Sequence, residues 1–349
     1  MIIAADRRHL WRAVAAAWVL LCAHPVNCLA QAWLPPKGET SVTVGAQIFG
    51  VGWHLEFDGS KQERADVDIR NMTTDVTYGL SDRVAIDFGV PFVASRFKAI
   101  EPCPTPGLLD CAIPDNPFVD NGTYYSTFQD VRANVRWAMV RRTFVMTPSI
   151  QIVIPSHSYE TFGHVAAGRD LNEVGFGLNV GRTLAPLLPN SYLHARYQYS
   201  LAQHLTHENE ELNLDRSTVE VEAGHAVTRA LTVRALSTWQ FAHGGLEWVD
   251  ELFMSEHGML IHDQAAKASY WHLGGGASYS VNDSLTISAF VLGTMSGKNT
   301  HKVGGLALST TWTFGGNTGL VGVPPSNSLR RVPAAVHLRT PSTRNRSSR

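Results

Sequence analysis

The chemically capable residues of this chain come in a two-residue rhythm. In "FQDVRANVRW" (residues 128–137), Asp130, Arg132, Asn134 and Arg136 alternate with Val131, Ala133, Val135 and Trp137. In "STVEVEAG" (217–224), Glu220 and Glu222 alternate with Val219, Val221 and Ala223. Asp75, Asp87, Glu173, Arg196 and Arg234, with His194 nearby, hold equivalent places in other alternating stretches. Side chains two apart share one face of a strand. The charges therefore collect on one face, opposite another of Val, Leu, Phe and Trp. Such a face offers electrostatics: either a field along a water-filled passage that sorts solutes by charge, or ion pairs that close a narrow interior.

Catalytic signatures are missing by comparison. There is no G-x-S-x-G elbow and no H-E-x-x-H pair. "GFGLNVG" (175–181) has glycines near a nucleotide-loop spacing, but it reads as a strand with no helix after it, so its glycines are expected as small interior-facing residues. No enzyme is expected; one would need a Ser-His-acid triplet at a rim. Histidine is enriched, with 15 in the chain. His54, His157, His164, His204, His207, His243, His257, His262 and His301 fall in or beside the longer breaks. Clustered imidazoles could bind a transition metal, yet no spacing matches a ligand set. They are expected as solvated surface groups, and neither metal nor cofactor is expected. Cys103 and Cys111, in "CPTPGLLDC", are a candidate local disulfide.

The elements that must position these residues are short and alternating. Twelve segments show two-fold periodicity, near residues 40–54, 67–79, 84–97, 123–139, 144–155, 171–183, 191–205, 214–227, 230–243, 264–280, 284–297 and 302–314. In the last, Leu306, Leu308, Trp312 and Phe314 oppose Gly305, Ala307, Ser309, Thr311 and Thr313. Brief breaks such as "LSDR" (80–83) and "VNDS" (281–284) alternate with mostly longer, polar ones: 55–66, 98–122, 156–170, 206–213 and 244–263. Tight turns at one end and larger loops at the other mark a transmembrane β-barrel. "YGLSDRVAI" and "YSVNDSLTI" read as hairpins at the tight end, with Tyr78 and Tyr279 at the membrane–water boundary.

Orientation separates this reading from a soluble sandwich or barrel. In a soluble domain the large apolar parity would fill the centre and a charged parity would face water. Here the second parity is mostly Gly, Ala, Ser, Thr and Asn, and only 17% of the chain is charged. Small and polar side chains suit an interior passage; Leu, Val, Phe and Trp suit lipid. The expected fold is all-β: a transmembrane antiparallel up-and-down barrel of about twelve strands, with ten and fourteen as bounds.

The ends agree with export. Residues 1–12 carry Arg7, Arg8 and Arg12; an apolar run of eleven follows; Cys28-Leu29-Ala30 precedes Gln31. This is the layout of a secretory signal, with cleavage expected after Ala30. The predicted organisation is therefore a signal at 1–30, a barrel at 31–314 and a disordered, Arg-rich periplasmic tail at 315–349. The tail carries six Arg and no acid, and the signal three Arg and one acid, so residues 31–314 hold 20 basic and 29 acidic side chains. An acidic body gives little support to a nucleic-acid partner.

Several phrases carry a resemblance. "QAWLPPKGETSVTVGAQ", "YGLSDRVAIDFGVPFVASRF", "DNGTYYSTFQDVRANVRW", "SYLHARYQYS" and the closing "FG" resemble a family of uncharacterised bacterial outer-membrane β-barrels. These are described as transporters or porin-like barrels, akin to the outer-membrane proteins grouped with meta-pathway phenol degradation. The likeness spans roughly residues 31–315. It implies the fold, an outer-membrane location in a Gram-negative cell and a transport role, and it supplies no catalytic residues. The Arg-rich tail departs from the family's usual ending just after the last aromatic.

The reading taken is passage of small solutes, aromatic or hydrophobic ones included, through a porin-like channel. Asp130, Arg132, Arg136, Glu220, Glu222, Arg234, Asp87 and Arg196 are its expected interior electrostatics. The alternative is a closed structural or adhesive barrel. Expected partners are outer-membrane lipid, lipopolysaccharide, an unidentified solute, and the assembly machinery that recognises the last aromatic. The connection 243–262 is expected to carry one short helix covering the barrel, and 98–122 is long enough to fold inward.

Overall fold

A computed structural model describes residues 32–98, 122–161, 163, 166–207, 209–249 and 261–315. The expected signal (1–30), the disulfide candidates Cys103 and Cys111, and the tail beyond residue 315 lie outside the described residues. Sixteen strands are present: β1 (Thr40–Leu55), β2 (Lys61–Ser81), β3 (Val84–Lys98), β4 (Tyr125–Phe128), β5 (Val131–Trp137), β6 (Val140–Arg141), β7 (Val145–Ile154), β8 (Glu173–Thr183), β9 (Ser191–Ala202), β10 (Leu205–His207), β11 (Glu210–Leu212), β12 (Arg216–Ala226), β13 (Leu231–Ala242), β14 (Ser269–Asn282), β15 (Leu285–Lys298) and β16 (Thr300–Phe314). Among the described residues one short helix, α1 (His262–Ala265), precedes β14.

The strands close into an antiparallel barrel of twelve staves. β4 and β5 make one stave between β3 and β7, with β6 at its turn end, and β10–β11 is a separate hairpin. The circle closes where β1 pairs with β16, from Thr40↔Phe314 to Leu55↔Thr300. Closure leaves no sheet edge that would expose unpaired backbone groups to hydrocarbon.

The interruption between β4 and β5 has a local cause. Phe92 pairs with Phe128, but Gly89 pairs with Arg132, so the ladder slips by one residue around Gln129 and Asp130. Pro91 lies opposite the slip and has no N–H to donate. Gln129 N–H still donates to the Pro91 carbonyl, at 2.9 Å.

The barrel is inverted relative to a soluble protein. Ile48, Met72, Phe88, Val135, Ile150, Phe176, Tyr197, Val233, Ile287 and Leu308 are all exposed on the outside. Arg136, Thr147, Ser149, Glu173, Asn179, His194, Glu222, Thr286, Ser288 and Thr311 are buried on the inside. Tyr78, Trp137, Tyr279, Trp312 and Phe314 ring the outer face near the tight-turn end, as an aromatic belt does at a membrane interface.

Several boundaries differ from the sequence reading. β2 begins at Lys61, six residues before the expected start, because Lys61, Gln62 and Glu63 pair with β1 although "KQERAD" has no apolar alternation. The break 206–213 contains most of the β10–β11 hairpin. Of the connection 243–262, expected to carry a short helix, residues 250–260 lie outside the described residues; α1 starts only at its last residue, His262.

Apolar packing is concentrated at the long-loop end. Leu171, Leu212, Leu214, Leu246, Trp248 and Ile261 form a buried cluster there, between the connecting segments and the β10–β11 hairpin. A second cluster, Val51, Val67 and Phe97 with Ile69, Tyr125 and Val303 against it, lies on β1, β2, β3, β4 and β16.

Candidate functional site

The inward charges fall into two groups on nearly opposite arcs of the circle. The first lies on β2, β3 and β5. Asp87 opposes Asn134 in register, and Gly89 opposes both Asp75 and Arg132. Arg136 donates to Asp87 through two nitrogens, at 2.7 and 2.6 Å. Asp87 also accepts from Thr77 Oγ1 at 2.8 Å and Asn134 Nδ2 at 2.9 Å. Arg132 stands 3.7 Å from Asp75. That pair reaches across β3 over Gly89, where a Cβ would sit 2.4 Å from Asp75 Oδ1. Any larger residue at 89 would displace the Asp75 carboxylate.

The second group lies on β9, β12 and β13. Glu220 opposes Arg196 directly in register, and their charged atoms are 3.6 Å apart. Arg196 also donates to Gln151 at 3.1 Å and to Gln198. Glu222 accepts from Tyr192 and lies 3.7 Å from Arg234, whose guanidinium stacks 4.5 Å from the Phe290 ring. Nearer the long-loop end, Arg216 forks onto Glu173 at 2.8 and 2.5 Å, and Arg169 joins at 3.2 Å. Asp130 accepts from Tyr159. Each of these ion pairs joins adjacent or next-but-one staves, or a loop to the stave beside it. The charges are therefore held along the wall.

The alternation brings Asp87, Arg132, Arg136, Arg196, Glu220, Glu222 and Arg234 to the inner side of the barrel, together with Asp75, Glu173 and His194, while Asp130 lies in the slip between β4 and β5. Gly175, Gly177 and Gly181 also face inward: a Cβ there would meet Gln198, Ser149 and Trp33.

Sequence periodicity gave no sign of how the start of the described chain runs. Gly38 N–H donates to Gly79 O at 2.8 Å, which anchors the segment at the end of β2. Three staves away, Thr147 Oγ1 donates to Ala32 O at 2.7 Å. Trp33 packs edge-on against Tyr192, with ring centroids 5.9 Å apart, and lies over Gly181. Ala32 is fully buried. Residues 32–38 thus form a chord across the tight-turn end, resting on the inner faces of β7, β8 and β9. "WLPP" cannot continue a ladder through its two prolines, which is the one local signal for this course.

At the opposite end the loop cover is tied by polar contacts. Gln264 Nε2 donates to Arg169 O at 2.7 Å, and Trp248 N–H donates to Asn299 Oδ1 at 3.0 Å. Lys267 sits 2.8 Å from Glu247 and, by hydrogen bond and charge, holds that carboxyl below its ordinary range. The expectation that the loop-end histidines are solvated holds for His204, which is well exposed. It fails for His54 and His262, which are buried. His157 bonds Thr127 and Ser156, and His243 stacks on Tyr199.

No protein-family model matches the chain, and no curated protein sequence matches it. Solved structures do. An outer-membrane channel from Pseudomonas putida F1 superposes with a TM-score of 0.62 at 11% identity, over 84% of this chain and 100% of that one. The NanC porin gives 0.44 at 8% identity, over 76% of this chain and 98% of that one. At 11% identity the first likeness is one of fold: the two chains share a closed antiparallel β-barrel architecture.

Proposed function

We propose that the chain is a porin-like channel of the bacterial outer membrane, passing small solutes without chemical change. The observation that carries this reading is the pairing of charges along the inner wall. Arg132 and Arg136 are matched to Asp75 and Asp87 on one arc, and Arg196 and Arg234 to Glu220 and Glu222 on another. Ionic side chains of both signs fixed to a wall, behind an apolar outer face, suit a wet passage better than a dry core. The apolar patch of Val51, Val67, Ile69 and Phe97 on the inner side near the long-loop end favours solutes with an aromatic or hydrophobic part. The fold shared with a Pseudomonas outer-membrane channel supports both location and role. Lipid, lipopolysaccharide and the outer-membrane assembly machinery are the partners that this location supplies.

A second reading, a closed structural barrel, is favoured by the chord at 32–38 and the apolar loop cluster at the other end. Planar-bilayer recording of the purified protein separates the two. Steady unitary currents support the channel. Silence from both the native chain and a Trp33→Ala variant overturns it in favour of the closed barrel.

A further inference from the structure

Three histidines far apart in sequence meet at the long-loop end. His54 on β1 and His301 on β16 are register partners across the seam that closes the barrel. His262 comes from α1. One ring nitrogen from each lies within 4.8 Å of the other two. The ring centroids are 4.6 Å apart for His54–His301, 5.8 Å for His262–His301 and 6.2 Å for His54–His262. His54 and His262 are 6% and 1% exposed. Asp263 Oδ1 is 3.3 Å from His262 Nε2 and 3.5 Å from His301 Nδ1. Trp248 packs against all three rings.

We propose that His54, His262 and His301 bind a divalent transition metal of the zinc class, with the Asp263 carboxylate completing the set. Neutral imidazole is the commonest protein ligand for such metals. Three nitrogens and one oxygen, without a thiolate, suit Zn²⁺, Ni²⁺ or Cu²⁺ over the oxygen-seeking Ca²⁺ and Mg²⁺. In tetrahedral zinc sites the ligand atoms lie about 2.0–2.2 Å from the metal, hence about 3.4 Å from one another. The nitrogens need to close by about 1.4 Å at most, within reach of small rotations about the side-chain torsions. The carboxylate offsets part of the metal's charge where two of the rings are removed from water. A cavity of about 280 Å³, lined by Gln129, Gly168, Arg169, Trp248, Asp263 and His301 among others, abuts the cluster. A bound metal would staple the end of the 243–268 connection to the β1–β16 seam. The only sequence adjacency among the four is His262-Asp263; the other contacts exist because the barrel closes.

The test uses the full chain, purified in detergent and stripped with a chelator, then titrated with Co²⁺. The expected result is one Co²⁺ per chain with the visible absorption of a four-coordinate ion, displaced by Zn²⁺. His54→Ala and His301→Ala abolish the absorption. Asp263→Asn weakens Zn²⁺ binding by at least about 10-fold, since loss of a ligand costs no less than loss of an outer-shell partner, and His204→Ala leaves it unchanged. Heat-modifiable mobility on gels reports that each barrel is folded; if a strand variant does not fold, His262→Gln, outside the barrel wall, replaces it. The inference is overturned if Co²⁺ shows only its aqueous spectrum, if the absorption survives loss of the cluster histidines in a folded barrel, or if His204→Ala removes it equally. None of these outcomes depends on whether the barrel conducts.

Discussion

Arg136 holds Asp87 side-on with one edge of its guanidinium, Nε to Oδ2 at 2.7 Å and Nη2 to Oδ1 at 2.6 Å. The Arg136 side chain is only 5% exposed, and the carboxylate 23%. Two parallel charge-assisted bonds fix geometry as well as energy. Because Thr77 and Asn134 also donate to Asp87, the carboxylate is fully engaged.

Removing one partner should therefore be worse than removing both. Arg136→Ala leaves a largely buried carboxylate without its counter-charge, which costs about 3 kcal/mol. The double variant Arg136→Ala/Asp87→Ala should recover a good part of that loss. The temperature at which the folded, fast-migrating gel form is lost would order them: native, then double, then single. A single variant as stable as the native chain would show that the pair carries no net stability.

The Arg196–Glu220 pair predicts selectivity. Glu220→Gln leaves Arg196 among Gln151, Gln198 and a neutral side chain, so the wall gains positive character. The reversal potential in asymmetric KCl should then shift toward anion preference, and Arg196→Gln should shift it toward cations. If neither variant moves it while currents persist, the conducting path does not pass these residues.

Much of this arrangement was legible because a barrel in lipid obeys a single constraint. An arginine on the lipid face at mid-bilayer costs about 2–4 kcal/mol, so alternation alone assigns Arg132, Arg136, Glu220 and Glu222 to the inside. The same rule fixed Ile86 and Phe88 outside. It says nothing where a strand rises out of the membrane: residues 61–63 pair with β1 without an apolar parity to announce it. Nor can it report contacts made by closure. His54 and His301 are partners only because β1 meets β16, and a linear pattern does not carry that distance. The chord at 32–38 was illegible for a related reason. Its contacts with Thr147, Gly181 and Tyr192 follow from the width of the opening rather than from any repeat.

The inside–outside assignment is open to direct challenge at Phe176, which is 49% exposed on the outer face of β8. Phe176→Arg should destabilise the barrel in bilayers by about 2–4 kcal/mol if the residue lies near mid-membrane. Phe176→Leu should change little, since Leu is equally at home in acyl chains. Denaturant titration in lipid vesicles, read by protease protection, measures both. Equal stability of the Arg and Leu variants would place this face in water and remove the membrane reading.

The chord predicts a change in conductance at the tight-turn end. Trp33 is the bulkiest group in it, and it is seated only because residue 181 has no side chain: a Cβ there would lie 2.5 Å from the indole. Gly181→Val should push the indole out of its seat, and Trp33→Ala should remove it. Both variants are expected to raise the unitary conductance or the open fraction in planar bilayers, with Gly181→Ala intermediate. Leu187→Ala serves as a control, because Leu187 is 90% exposed on the neighbouring turn, and it should leave the currents unchanged. Because Gly181→Val and Trp33→Ala perturb the same contact from opposite sides, their effects should not add when combined. Additive increases would mean that each acts on the barrel wall separately and that the chord does not obstruct the passage.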